Sequence, residues 1–172
     1  VDISSVGYAD YDVLVTNMER GGYELIEWPG VSWADMISQL HLNLTVKDEK
    51  KRALFNNPDF RQALSIAVDR DEYAEIMSDG FAKGRQAAPS EGAMGYSEEW
   101  AKKWTEYNPQ KAKQLLESCG LVMGSDGDYD FADGTDFVLN LQTFTAAEAD
   151  NSAELLMAYY NKFGIKATFK PV

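Results

Sequence analysis

The sequence predicts one α/β domain, with helices packed on a mixed sheet, and three observations carry that expectation. Segments with the two-residue alternation of strands are interleaved with segments of helical periodicity along the chain. Phe60, Ala63, Leu64 and Ala67 fall at the i, i+3, i+4, i+7 spacing of one buried helical stripe. At 172 residues, with 45% hydrophobic and 12% aromatic content, the chain can bury a single core.

Val1–Val6 reads as a short strand, and Ala9–Arg20 as an amphipathic helix ended by Gly21-Gly22. Tyr23–Trp28 alternates like a second strand, and Pro29-Gly30 turns the chain. Met36–Leu44 is expected to be a third strand, with Ile37, Leu40, Leu42 and Leu44 as its apolar positions. Leu54–Ser78 reads as two short helices joined at a capped corner. Asn57 can accept from the first free amides, and Pro58 stands where its missing N–H costs nothing. Asp69 with Glu72 repeats a capping-box arrangement for the second helix.

Lys83–Gly95 is rich in Gly, Ala, Ser and Pro and reads as a loop. Ser97 can cap a helix that carries Trp100 and Trp104 on one packing face. Asn108 and Pro109 start another helix, and Gly120 ends it. Gly124–Gly134 is an acidic turn, Phe137–Phe144 a strand, Ala146–Phe163 a long helix, and Ile165–Lys170 a closing strand.

Charge and residue counts narrow the chemistry. A net charge of −12 disfavours nucleic acid and anionic bilayers as partners. No apolar run approaches the roughly 20 residues that span a membrane. One histidine and one cysteine leave disulfides and the common Cys–His, Ser–His and zinc constellations without parts. His41 lies between leucines and reads as a sheet or surface residue; Cys119 reads as a buried, inert thiol. Asp126, Asp128, Asp130 and Asp133 have the spacing of a calcium-loop start, but Phe131 and Phe137 stand where Gly and Glu are needed. A solvated turn is the better reading, and neither a metal nor a cofactor is expected.

Arg61-Gln62-Ala63-Leu64-Ser65-Ile66-Ala67-Val68-Asp69-Arg70 closely resembles the R-x-A-L-x-x-A-[IV]-D-R signature of family 5 extracytoplasmic solute-binding proteins, the oligopeptide and dipeptide receptors of bacterial ABC importers. Leu40-His41-Leu42-Asn43 is similar to the strand that precedes this signature in the family. Gly80–Pro89 is similar to its Gly-rich loop. Tyr107-Asn108-Pro109 through Leu116, closed by Gly120, resembles the helix that follows, and Gly164–Val172 resembles the family's Gly-Ile-strand segment. Val1-Asp2-Ile3 resembles the end of its opening strand.

The resemblance implies one lobe of a type II periplasmic-binding-protein-like fold, excised from a larger two-lobed protein whose N-terminal lobe and C-terminal return are absent. It implies a non-enzymatic role: capture of oligopeptides or dipeptides by hinge closure of two lobes, for import. Its partners would be a peptide ligand, the permease subunits and the missing lobe. Its place would be extracytoplasmic, in a periplasm or as a cell-surface lipoprotein of a Gram-positive. Ser5, Val6 and Gly7, at the exit of the first strand, and Trp33, Ala34, Asp35 and Met36, before the strand leading to Asn43, correspond to segments that approach the inter-lobe cleft; these are the expected ligand-binding residues. Arg61, Asp69 and Arg70 are expected to serve the helix corner.

Other readings stay open at this stage. Receptors of the same architecture also take nickel chelates, haem or oligosaccharides. An acidic hydrolase or carbohydrate enzyme could draw an Asp/Glu pair from the 28 acidic residues. An acidic face could also dock a basic partner such as the permease.

Overall fold

Asparagine, aspartate and proline decide where the central helices begin. The computed structural model describes residues 3–4, 6, 10–26, 39–78, 80–143 and 147–171. Helix α1 (Tyr11–Gly21) ends on Gly22, whose φ of 64° lets its N–H reach the carbonyls of Met18 and Glu19. Helix α2 (Glu49–Asn56) opens on Asp48, which accepts from the Lys51 amide at 3.0 Å. Asn57 caps α3 (Pro58–Ile66) by accepting from the Asp59 amide at 2.9 Å, with Pro58 as first residue. Asp69 accepts from the Asp71 and Glu72 amides, each at 3.2 Å, and starts α4 (Arg70–Ser78). Ser97 caps the five-residue α5 (Glu98–Lys102). Asn108 caps α6 (Pro109–Ser118), accepting from the Lys111 amide at 3.0 Å. The Asn108 N–H meanwhile donates to the Ile66 carbonyl at 2.8 Å, so one residue ends α3 and begins α6.

The strands are few and short. β1 (Leu121–Met123) and β2 (Tyr129–Phe131) form an antiparallel hairpin. β3 (Leu139–Thr143) lies parallel to β4 (Ala167–Pro171), with Leu139 opposite Ala167 and Leu141 opposite Phe169. Their crossover is α7 (Ala147–Phe163). The α/β class holds. The sheet component, among the described residues, consists of these two pairs.

Packing joins the layers. α3 lies along α6, and Ala63 and Ala112, both fully buried, let the two backbones approach closely. Phe60 sits at the centre without exposure, stacked on Phe55 at 5.8 Å and edge-on to Phe137 at 5.8 Å. Ile66, Leu116, Leu121, Leu139 and Ile165 close the core around it. The hairpin is seated on the turn after α7: the Tyr129 N–H donates to the Gly164 carbonyl at 2.7 Å. A Cβ on Gly164, at φ 93°, would lie 2.7 Å from the Gly127 carbonyl oxygen, so only glycine fits there.

Several expected elements differ. Ile3, Ser4, Val6 and Tyr23–Ile26 are irregular and not strand, and Gln39–Leu44 lacks strand pairing. Leu44 belongs instead to a turn set by Asn43, whose Oδ1 accepts from the Thr45 amide at 3.0 Å. The Ser97-capped helix stops at Lys102, and Trp104 beyond it takes a φ of 55°. Trp100 is therefore exposed and Trp104 only partly covered, so neither packs in the core. The Gly124–Gly134 turn contains β2, and α2 is a helix of its own before the Asn57 corner.

Candidate functional site

The Asn57–Ser78 corner is held by its own charges. The Arg61 guanidinium donates to the Phe55 carbonyl at 2.9 Å, closing the end of α2. Arg70 turns back over the corner and donates to the Ser65 carbonyl at 2.5 Å and the Ser65 hydroxyl at 2.8 Å. Burial lowers the Arg70 guanidinium pKa, against the opposing influence of Tyr160 and Glu106. Ser65 also donates to the Trp104 carbonyl at 2.9 Å and accepts from the Gln86 side-chain Nε2 at 2.8 Å. The left-handed backbone of Trp104 is thereby fastened to α3, and Lys103 lies over its ring at 4.8 Å. Arg61, Asp69 and Arg70 spend their polar atoms on backbone and caps, which is scaffold chemistry.

Concavities among the described residues include a cavity and a groove. A cavity of about 470 Å³ lies between α4 and the loop after it, beside Asp71, Glu75 and Lys83. A groove of about 510 Å³ lies beside β3, between Gln39–Asn43 and Val138–Gln142, with Lys51 and Phe55 also lining it. The groove is the better placed of the two, because it lies beside the parallel β3–β4 pair. Its floor is apolar, with Leu42 partly buried and Leu139 and Leu141 in the core. Its rim is polar: His41 shares a hydrogen bond with Gln39 at 2.9 Å, and Lys51 donates to the Val138 carbonyl at 2.7 Å.

The acidic turn is spent internally. Asp126 accepts from the Asp128 amide at 3.2 Å, Asp130 from the Phe137 amide at 3.4 Å, and Asp133 pairs with Lys50 and Thr135. The Lys50 and Thr135 hydrogen bonds hold the Asp133 carboxyl down at about 2. Glu98, bonded to Lys102, is lowered as well. Both displaced carboxyls among the described residues thus move opposite to the raised pKa that a general acid needs. Cys119 is partly and not fully buried, and desolvation pushes its thiol up. His41 is exposed on irregular backbone.

Of the residues expected to meet ligand, Val6 is described, and it is 53% exposed on irregular chain. Ser5, Gly7, Trp33, Ala34, Asp35 and Met36 lie outside the described residues. The groove itself had no local signal in the sequence, because its walls come from segments far apart in the chain.

The family model described as "Bacterial extracellular solute-binding proteins, family 5 Middle" matches residues 9–172. The chain belongs to family 5 of the bacterial extracellular solute-binding proteins. Among curated family 5 relatives, the probable ABC transporter periplasmic-binding protein SapA of Escherichia coli strain K12 is 26% identical over 187 residues, covering 100% of this chain and 31% of that protein. Heme-binding protein A of Haemophilus influenzae is 26% identical over 159 residues, 87% of this chain and 27% of its own length. The solved structure of the oligopeptide-binding protein OppA superposes with a TM-score of 0.86 at 29% identity, over 96% of this chain and 26% of OppA. The family 5 chain thus spans about a third of the curated relatives it matches and has the OppA-type fold over nearly all of its length. No described helix is long and apolar enough to cross a membrane.

Proposed function

We propose that this family 5 chain is one lobe of a two-lobed receptor that captures oligopeptides or dipeptides outside the cytoplasm and presents them to an ABC permease. The superposition on OppA over 96% of the chain is the observation that carries this reading. In it, Ser5–Gly7 and Trp33–Met36 form this lobe's contribution to the ligand wall, and the second wall belongs to the missing lobe. Ligand is held between the two walls as they close about the hinge, and the closed form is what the permease recognises. The exposure of Val6 suits a wall awaiting its partner. A periplasmic or lipid-anchored location follows the same reading.

Haem is the alternative ligand, favoured by the equal 26% identity to SapA and to Heme-binding protein A. The test is calorimetry of the full-length receptor against a mixed tripeptide, a pentapeptide and haem. Micromolar peptide affinity with no haem uptake is expected, and the reverse would overturn the peptide reading. The 172-residue chain alone should bind peptide weakly, because it supplies one wall of the proposed site. Micromolar peptide binding by this chain alone would sink the two-wall account.

A further inference from the structure

Two turns in this lobe carry the same reactive pair, and their surroundings separate them. Asp126-Gly127 and Asp133-Gly134 both place a carboxyl group next to a glycine amide that has no side chain to shield it. Each pair closes a turn: Gly127 donates to the Gly124 carbonyl, and Gly134 to the Phe131 carbonyl. In each, the aspartate Oδ1 accepts from the amide two residues on, Asp128 or Thr135, at 3.2 Å. The two glycines have positive φ, 93° and 81°, and the two aspartates are exposed.

The likeness ends at the carboxylates. Asp133 is held on both oxygens: Lys50 bonds Oδ2, and the Thr135 hydroxyl donates to Oδ1 at 2.7 Å. These bonds hold its carboxyl down at about 2, so it stays ionised. The Gly134 amide is bound as well, at 2.8 Å from the Phe131 carbonyl. Asp126 has no such clamp. Among the described residues, the Asp128 amide is the one donor to its carboxylate, and the Gly127 amide bond is longer, at 3.2 Å.

We propose that Asp126-Gly127 is a site of spontaneous backbone isomerisation, and that Lys50 and Thr135 protect its twin at Asp133-Gly134. The Gly127 nitrogen attacks Cγ of the Asp126 carboxylic acid. A C–N bond forms, and the carboxyl hydroxyl leaves with the amide proton as water, giving a succinimide ring. Water then adds to one of the two ring carbonyls. Opening at the side-chain carbonyl restores aspartate; opening at the main-chain carbonyl leaves isoaspartate, with the chain routed through Cβ and Cγ. One water leaves and one returns, so composition and redox state are unchanged. Isoaspartate lengthens the main chain by one methylene in the β1–β2 loop. The Gly127 carbonyl shifts with it, beside Gly164, where even a Cβ would lie only 2.7 Å from that oxygen. The chemistry is independent of which ligand the receptor takes.

The test is incubation of the 172-residue chain in heavy-oxygen water near neutral pH, followed by peptide mapping with fragmentation that separates aspartate from isoaspartate. Each passage through the succinimide fixes one heavy oxygen. Several-fold more label and isoaspartate are expected at Asp126 than at Asp133. Lys50→Met should raise labelling at Asp133 several-fold and leave Asp126 as it was; if circular dichroism shows this variant unfolded, Thr135→Val takes its place. In guanidinium chloride, where the clamp is gone, the two sites should label alike. Equal labelling of both sites in the folded chain overturns the proposal. So does absence of label at Asp126, an excess at Asp133, a silent Asp133 in the folded variant, or a bias that persists in denaturant.

Discussion

Replacing Phe60 by alanine probes the centre of the lobe. The ring has no exposure and loses two aromatic partners at once, Phe55 and Phe137, each with ring centres 5.8 Å away. Truncating a buried Phe to Ala costs about 3–5 kcal/mol, the larger values where the surroundings cannot collapse. Here they are pinned: Arg61 holds the Phe55 carbonyl, and the Asp130 carboxylate accepts from the Phe137 amide. A loss of about 4 kcal/mol is therefore expected, a large share of the roughly 5–15 kcal/mol that stabilises a natural domain. For a chain of this length that corresponds to a fall in Tm of about 8–16 °C. Urea unfolding followed by far-ultraviolet circular dichroism reads it as a lower midpoint with an unchanged slope. Phe60→Leu should lose less than half as much. A loss under about 1.5 kcal/mol for Phe60→Ala, at unchanged slope, would refute the placement of this ring at a rigid centre.

Further outcomes concern the corner and the titrating groups. Asp69→Ala removes the acceptor for the Asp71 and Glu72 amides and should cost about 1 kcal/mol by urea unfolding; Asp69→Asn should recover most of it, since it keeps the acceptor. Asp133, held at about 2 from an ordinary 3.8, adds stability that is fully present above pH 3.8 and lost as pH falls toward 2. Acid titration of Asp133→Asn should lack that contribution, and identical acid profiles for the two proteins would contradict it. The raised Cys119 thiol should react with a disulfide reagent at pH 8 several-fold more slowly than free cysteine, and at the free rate in denaturant.

The parts that were legible are those decided within a few residues. Asn57-Pro58, Asp69 with Glu72, and Asn108-Pro109 each carry their own capping chemistry, and the helices begin where those residues place them. The long crossover α7 and the strands β3 and β4 also lie where the sequence is read to place them, β4 from its alternation of apolar and polar residues. The β1–β2 hairpin escaped because three-residue strands are too short to show a period. Alternation misled at Tyr23–Ile26 and Gln39–Leu44, because a strand also needs a partner edge, which pattern alone does not supply. Trp104 defeated the helical reading because its position is decided by Ser65, far away in sequence. The proposed ligand-wall residues rest on resemblance, whereas the groove arises from two distant segments and could emerge only with the fold.

Gly164 has a consequence for substitution in the loop that faces it. Besides its core packing, the hairpin touches the turn after α7 through the Tyr129 bond to the Gly164 carbonyl, at a spot with no room for even a methyl group. The tip of a hairpin that precedes α7 in the chain is thus fitted to a turn that follows it. A side chain at Gly164 would push on the Gly127 carbonyl and so disturb both segments at once.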